Sequence, residues 1–380
     1  MMNFNHLEKF IDSLGPDKKV PGCNCIVYHK HKKVFEHSAG VLDLDTNVPF
    51  TTKTQCFMYS ITKLVTAVAA LQLWEQGKYG MNEPLFYYLP EFKTMNTRTN
   101  INGDDYDIEL AKNRITIHHL LTMTAGFNYD FSDFTLKSLY RRTDYKYTTR
   151  EFATGLSKMT LMFEPGTAWR YSLCYDLLGA FIEVVSGMPF AEYVKKNIFE
   201  PLGMKDSTFS LDEADMSRFA SQYTYDYKQD AVVKTKLENS HQLSPNYTSG
   251  GAGMISTAED CIKLAEALCN GGVGATKKRI LASSTVDLMR ADHMYDLKNI
   301  KIDVDPGYSY GIGVRTMVNP AAAGAPANCN DFGWAGLAGS YMLIDPEAEI
   351  SLFYTQHVIG YLYEHVQPRL RNITYTALEY

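Results

Sequence analysis

The sequence predicts an α+β fold, in which one sheet is assembled from both ends of the chain, flanked by helices and interrupted by a helical insertion lobe. Two observations carry this. Runs with strand character lie near the amino terminus, at 24–29 and 33–39, and again late in the chain, at 310–317, 339–344 and 349–356. Between them, from about 86 to 245, the apolar spacing turns helical and strand signals largely disappear. A chain of 380 residues exceeds the usual single-core size. The expected division is therefore an α/β lobe from 1–85 and 246–380, a mostly helical lobe from 86–245, and a cleft between them.

An amphipathic helix from Leu7 to Leu14 opens the chain and is expected to stop at Gly15-Pro16. Asn24–His29 and Lys33–Ala39 follow as strands, and the basic run His29-Lys30-His31-Lys32-Lys33 between them fits a solvated hairpin turn. A helix bearing Ser60 and Lys63 continues through Leu71 and Trp74 and stops near Gly77 and Gly80. Its apolar stretch is far shorter than the roughly 20 residues that span a bilayer, so it is a core helix. Ile117–Met123, Thr149–Met159, Leu173–Val185 and Phe190–Phe199 supply the helices of the insertion. From Gly250 onward come helices at Ala258–Leu268 and Ser284–Met289, strands at Tyr310–Met317, Gly339–Ile344 and Glu349–Gln356, and a last helix over Tyr361–Leu378 despite Pro368. Element order by itself suggests a mixed sheet.

Composition narrows the function. With 45% apolar and 21% charged residues the chain is an ordinary globular protein and not a disordered one. A net charge of -6 with both signs interspersed leaves no basic footprint for nucleic acid. The seven cysteines form an odd set without paired-ligand spacing, which fits reduced thiols, and Cys23 and Cys25 read as small apolar fillers on one strand face. The start Met1-Met2-Asn3-Phe4-Asn5-His6 lacks the features of a secretory signal, so a cytoplasmic protein without a membrane span is expected.

Three motifs carry chemistry. Ser60 and Lys63, in Met58-Tyr59-Ser60-Ile61-Thr62-Lys63-Leu64, sit three apart and share a helical face, and this is the only Ser-x-x-Lys in the chain. A lysine that loses its proton on burial can accept the serine proton and make the hydroxyl a nucleophile. Tyr171, after the turn Glu164-Pro165-Gly166-Thr167, can reach inward beside that lysine, whose charge would favour the phenolate. It also fits an ordinary amphipathic position among 26 tyrosines. Gly333-Trp334-Ala335-Gly336-Leu337-Ala338-Gly339 lets backbone approach a ligand closely, and reads equally as a glycine-rich turn before an edge strand.

Taken together the three motifs resemble the serine beta-lactamase and penicillin-binding-protein superfamily, on its class C-like and esterase side. Ile115–Phe127, Pro165–Gly179 and Gly250–Asp260 look like further signatures, and the likeness runs over about residues 15 to 360. It implies a beta-lactamase/transpeptidase-like fold with a central antiparallel sheet. It implies Ser60 as acylated nucleophile, Lys63 as its activator, Tyr171 as general base and acid, and the backbone amides of Ser60 and Leu337 as oxyanion hole. Tyr59, Leu173, Trp334, Ala335 and Gly336 would lie along the substrate, and neither a metal nor an organic cofactor is required. His118 and His119 fall inside a signature and are assigned to packing, since adjacent helical side chains diverge by about 100°.

Two departures bear on the substrate. Class C beta-lactamases usually carry Tyr-x-Asn where this chain has Tyr171-Ser172-Leu173, and leucine cannot hydrogen-bond to the lysine or to an acylamide. Their third motif usually begins with a lysine that meets a carboxylate, and Trp334 stands there instead. Both departures look like those of the beta-lactamase-fold carboxylesterases and transesterases. The expected partner is therefore a small neutral ester, or failing that an amide. A weak beta-lactamase or D-amino-acid peptidase is the alternative among enzymes, and a catalytically silent ligand-binding member of the fold is the alternative outside them.

Overall fold

The computed structural model describes residues 2–103, 105–295, 297 and 305–379. Seven strands make the main sheet: β1 (Gly22–His29), β2 (Lys32–Gly40), β3 (Tyr308–Tyr310), β4 (Arg315–Met317), β5 (Phe332–Ala335), β6 (Tyr341–Asp345) and β7 (Ile350–Gln356). Their spatial order is β3-β4-β5-β6-β7-β1-β2. The two chain ends meet where β7 pairs with β1, from Cys23 opposite Gln356 to His29 opposite Ile350. Every pairing in this sheet is antiparallel, so the mixed directions suggested by element order do not occur. Short turns reverse the chain between β1 and β2, β3 and β4, β5 and β6, and β6 and β7.

Helices cover both faces. The helices α1 (Asn5–Lys18) and α5 (Tyr363–Glu379) close one face, where Leu7, Ile11 and Leu14 pack with Val27, Leu352, Tyr354 and Leu370. Cys23 and Cys25 are buried in the same layer as free thiols. The opposite face meets α4 (Ala258–Cys269) and, beyond it, the main core around α2 (Thr62–Glu75) and α3 (Cys174–Ser186). Buried on all sides from Thr62 to Leu73, α2 reads as apolar all round because it runs through the centre of the molecule. No single helix among the described residues is long and apolar enough to cross a membrane.

Several boundaries differ from expectation. Gly15-Pro16 does not stop α1, which continues to Lys18 and is capped by Lys19 at a φ of 58°. The buried Leu7-Ile11-Leu14 stripe holds that last turn down in spite of poor local propensity. The Tyr310–Met317 run is a hairpin rather than one strand, reversing at Gly313 with a φ of 74°. Phe332–Ala335 is itself an interior strand, so the glycine-rich turn is Gly336–Ser340 and no edge strand follows it. Within 86–245 the chain also forms a hairpin from Asn96–Asn102 and Asp105–Leu110, another from Tyr223–Asp226 and Ala231–Lys234, and a helix over Phe134–Arg142.

Candidate active site

Ser60 lies in a single 3-10 turn, Tyr59–Ile61, that leads straight into α2. Tyr59 has a φ of 46°, a left-handed value that a bulky residue rarely adopts, so the turn is strained and must be held by its surroundings. Tyr59 itself does much of the holding. Its fully buried ring packs against Phe57 and His241, and its backbone carbonyl accepts a 2.6 Å hydrogen bond from Thr62 Oγ1. The loop 249–254 is stitched to the same start of the helix, with Met58 N to Met254 O at 2.9 Å and Thr66 Oγ1 to Gly250 O at 2.6 Å.

Lys63, completely buried one turn on, has three partners for Nζ: Ser60 Oγ at 3.1 Å, the Tyr129 hydroxyl at 2.9 Å and the Gly251 carbonyl at 2.7 Å. Burial pushes its ammonium down to about 7, against an opposing pull from the buried Asp176 carboxylate. Asp176 accepts from Ser249 Oγ at 2.6 Å, from the Gly251 amide at 3.3 Å and from the Tyr247 hydroxyl, so it orders the peptide whose carbonyl receives the lysine. A Cβ at Gly251 would stand 2.5 Å from Asp176 Oδ2, which excludes any larger residue there.

On the other side of Ser60, the Tyr171 hydroxyl donates to Oγ at 2.6 Å and accepts from Trp334 Nε1 at 3.2 Å, with the two rings stacked at 5.4 Å. Burial raises the Tyr171 phenol well above its ordinary value. The phenolate expected from a neighbouring lysine charge is thus corrected, because desolvation outweighs attraction to an amine that is itself driven toward neutrality. Trp334 N–H thus donates to Tyr171, Tyr171 O–H donates to Ser60, and Lys63 Nζ donates to Ser60, Gly251 O and Tyr129; when Lys63 is neutral, its lone pair is free to accept the Ser60 proton instead.

A cavity of about 300 Å³ opens over these groups, bordered by Ser60, Tyr171, Trp334, Ala335, Gly336 and Leu337. Gly336 lets the turn after β5 close onto the backbone just before Ser60, since a Cβ there would lie 2.2 Å from Met58 O. Gly360 N holds the Leu337 carbonyl at 2.8 Å, and the Tyr363 hydroxyl donates to the same oxygen. Two residues expected along the substrate are not there. The Tyr59 and Leu173 side chains are fully buried, the first holding the strained turn and the second starting α3 within the core. His118 packs against His293, their ring nitrogens 3.1 Å apart, and His119 closes a capping box with Thr116. Among the described residues one group has reach for a metal, Glu8, Asp12 and His37, and it lies on α1 and β2, none of it lining this cavity.

Tyr129, Asp176 and Gly251 are site residues that the sequence motifs do not single out. The signals available were positional: Tyr129 follows the Ile115–Phe127 signature by two residues, and Asp176 and Gly251 fall inside the other two signatures. Which polar partner each would meet is a tertiary fact.

Known proteins resemble this chain over most of its length. A family model described as Beta-lactamase matches residues 7–362. The esterase EstB of Burkholderia gladioli is 27% identical over 382 residues, covering 91% of this chain and 88% of EstB. Among solved structures, EstCE1, described as a hydrolase with promiscuous acyltransferase activity, superposes with a TM-score of 0.77 at 24% identity, over 97% of each chain. Unliganded selenomethionyl simvastatin synthase (LovD) of Aspergillus terreus gives a TM-score of 0.78 at 19% identity, covering 99% of this chain and 97% of that one.

Proposed function

The chain belongs to the beta-lactamase family, and on that premise we propose that it is a serine hydrolase working through an acyl ester of Ser60, a carboxylesterase or transesterase of small esters that are neutral around the scissile bond. One observation carries the reading: Ser60 Oγ lies between the Tyr171 hydroxyl, at 2.6 Å, and Nζ of the fully buried Lys63, at 3.1 Å, an amine that burial drives toward neutrality. On this reading the cleft lies between the sheet-bearing part, 1–85 with 246–380, and the insertion 86–245.

In the first half-reaction neutral Lys63 takes the Ser60 proton, and Oγ bonds to the ester carbonyl carbon. The resulting ammonium has three donors for three acceptors, Ser60 Oγ, Tyr129 and Gly251, so its charge is received without rearrangement. The amides of Ser60 and Leu337 receive the carbonyl oxygen as it becomes an anion. As the carbon–oxygen bond to the alcohol breaks, Tyr171 gives its proton to the leaving oxygen and is refilled from Lys63. Water or a second alcohol then runs the same steps backward and frees the acyl group. The similarity to EstB, an esterase, and to EstCE1, a hydrolase with promiscuous acyltransferase activity, supports both outcomes.

Trp334 supports the choice of ester over beta-lactam, because it sets an apolar ring and one N–H where a cation would meet the lactam carboxylate. The test is active-site labelling with a fluorophosphonate, followed by turnover of p-nitrophenyl butyrate beside nitrocefin. Labelling of the wild type that is lost in Ser60→Ala, with ester turnover exceeding that of nitrocefin, is expected. Rapid nitrocefin hydrolysis with negligible ester cleavage would reverse the substrate assignment, and no labelling at all would remove the enzyme.

A further inference from the structure

The catalytic cavity does not end at Trp334. Four of its lining residues, Asp305, Arg315, Tyr363 and Gln367, also line a second cavity of about 240 Å³ that continues toward Tyr308, Tyr341 and Arg371. At the junction stands Arg315, on β4 opposite Gly333, the residue before Trp334. Its guanidinium is nearly buried between aromatic faces, 4.7 Å from the Tyr308 ring and 5.3 Å from that of Tyr341. Nη2 donates to Gln367 Oε1 at 3.1 Å, and Nη1 donates to Asp305 Oδ2 at 2.9 Å.

The two members of that ion pair differ in one respect. Arg315 is 11% exposed at its side chain and fixed by stacking, whereas the Asp305 side chain is 64% exposed. A fixed, desolvated guanidinium facing a solvated carboxylate is a place where one carboxylate can be exchanged for another, because water receives the displaced group and the planar fork accepts either.

We propose that Arg315 is a specificity residue: it receives a carboxylate carried by the substrate at a distance from the scissile carbonyl, displacing Asp305, so that the preferred esters are neutral at the reacting end and anionic at the far end. This rests on the esterase reading above and refines its substrate class. It also places a cation in the cleft one strand away from the position where Trp334 has replaced one.

The test compares p-nitrophenyl butyrate with two carboxylate-bearing esters, mono-p-nitrophenyl glutarate and 3-butanoyloxybenzoate, which carry the charge on the acyl and alcohol sides respectively. The readout is the ratio of anionic to neutral kcat/KM. In Arg315→Gln that ratio should fall by about 10-fold for at least one anionic ester, the loss expected of one charge-assisted hydrogen bond. In Asp305→Asn, which removes the competing carboxylate but keeps the residue's size, the same ratio should rise through a lower KM. Opposite signs from two partners of one ion pair are not what loss of a structural contact produces. Unchanged ratios in both variants, or ratios that fall in both, would overturn the assignment. If no ester is turned over, the esterase reading fails separately, and saturable thermal stabilisation by free glutarate, weakened in Arg315→Gln and strengthened in Asp305→Asn, still decides the subsite.

Discussion

Lys63 Nζ lies 2.9 Å from the hydroxyl of Tyr129, a residue outside the three motifs. The third position of Tyr171-Ser172-Leu173 is apolar and buried in the core, and the phenol of Tyr129 gives the lysine a polar contact from another segment. Tyr129→Phe removes one of three acceptors for the ammonium while keeping the ring. The ammonium is then less well stabilised, so the lysine pKa falls further and the acid limb of kcat/KM moves to lower pH, by about one unit for a hydrogen bond to a charged group. A limb that stays where it is in the wild type would mean that Tyr129 only fills space.

In the wild type the sign follows from which form of Lys63 is needed. The neutral amine accepts the Ser60 proton, and burial sets its pKa at about 7. The rate constant kcat/KM for p-nitrophenyl butyrate should therefore rise with pH through about 7 and level off above it. A limb at the ordinary lysine value would show that burial does not lower this amine, and the absence of any limb that shifts in Tyr129→Phe would show that the amine is not the base. Lys63→Arg, which stays charged, should lose ~10³-fold or more across the whole range, since an arginine cannot give up its proton in a protein.

Tyr171→Phe keeps the stack on Trp334 but breaks the run of donors on both sides. With no group to protonate the leaving oxygen, turnover should drop ~10²- to 10⁴-fold, the usual range for one general acid. The drop should shrink for p-nitrophenyl esters relative to alkyl esters, because nitrophenolate leaves without a proton. Equal losses for both leaving groups would move Tyr171 from acid to mere positioning.

Much of this was legible in the chain because burial writes a period into sequence. The strands β1 and β7 and the helices α2, α3 and α4 each present a buried face or a wholly buried body, and each lies within a few residues of its expected place. The Asn96–Leu110 hairpin left no such trace, because its second strand is exposed at every position and no alternation is required of it. Ser60, Lys63, Tyr171 and Trp334 were visible as motif letters. Tyr129 and Asp176 were not, since a phenol or carboxylate reveals its partner only when the fold has brought Gly251 between them. Tyr59 and Leu173 differ for the converse reason: they flank motif residues in sequence, yet both are fully buried and neither lines the cavity.

The C-terminal helix α5 is fastened to the sheet by charge as well as by packing, and this fixes the wall behind the second cavity. Arg371 is 3% exposed and Asp331 is 0% exposed at the side chain; they form a two-pronged ion pair, with Arg371 Nη2 also 3.3 Å from the Tyr341 hydroxyl. Removing one partner leaves the other charged and buried, which costs far more than the pair itself contributes, so Arg371→Met should lower stability by ~3–5 kcal/mol. Replacing both, in Arg371→Met with Asp331→Leu, removes the stranded carboxylate and should recover most of that loss. Urea denaturation of the two variants beside the wild type reads the difference as a shift in midpoint. If the double variant were no more stable than Arg371→Met, the loss would come from packing of α5 against Tyr308 and Tyr341 rather than from an unpaired charge.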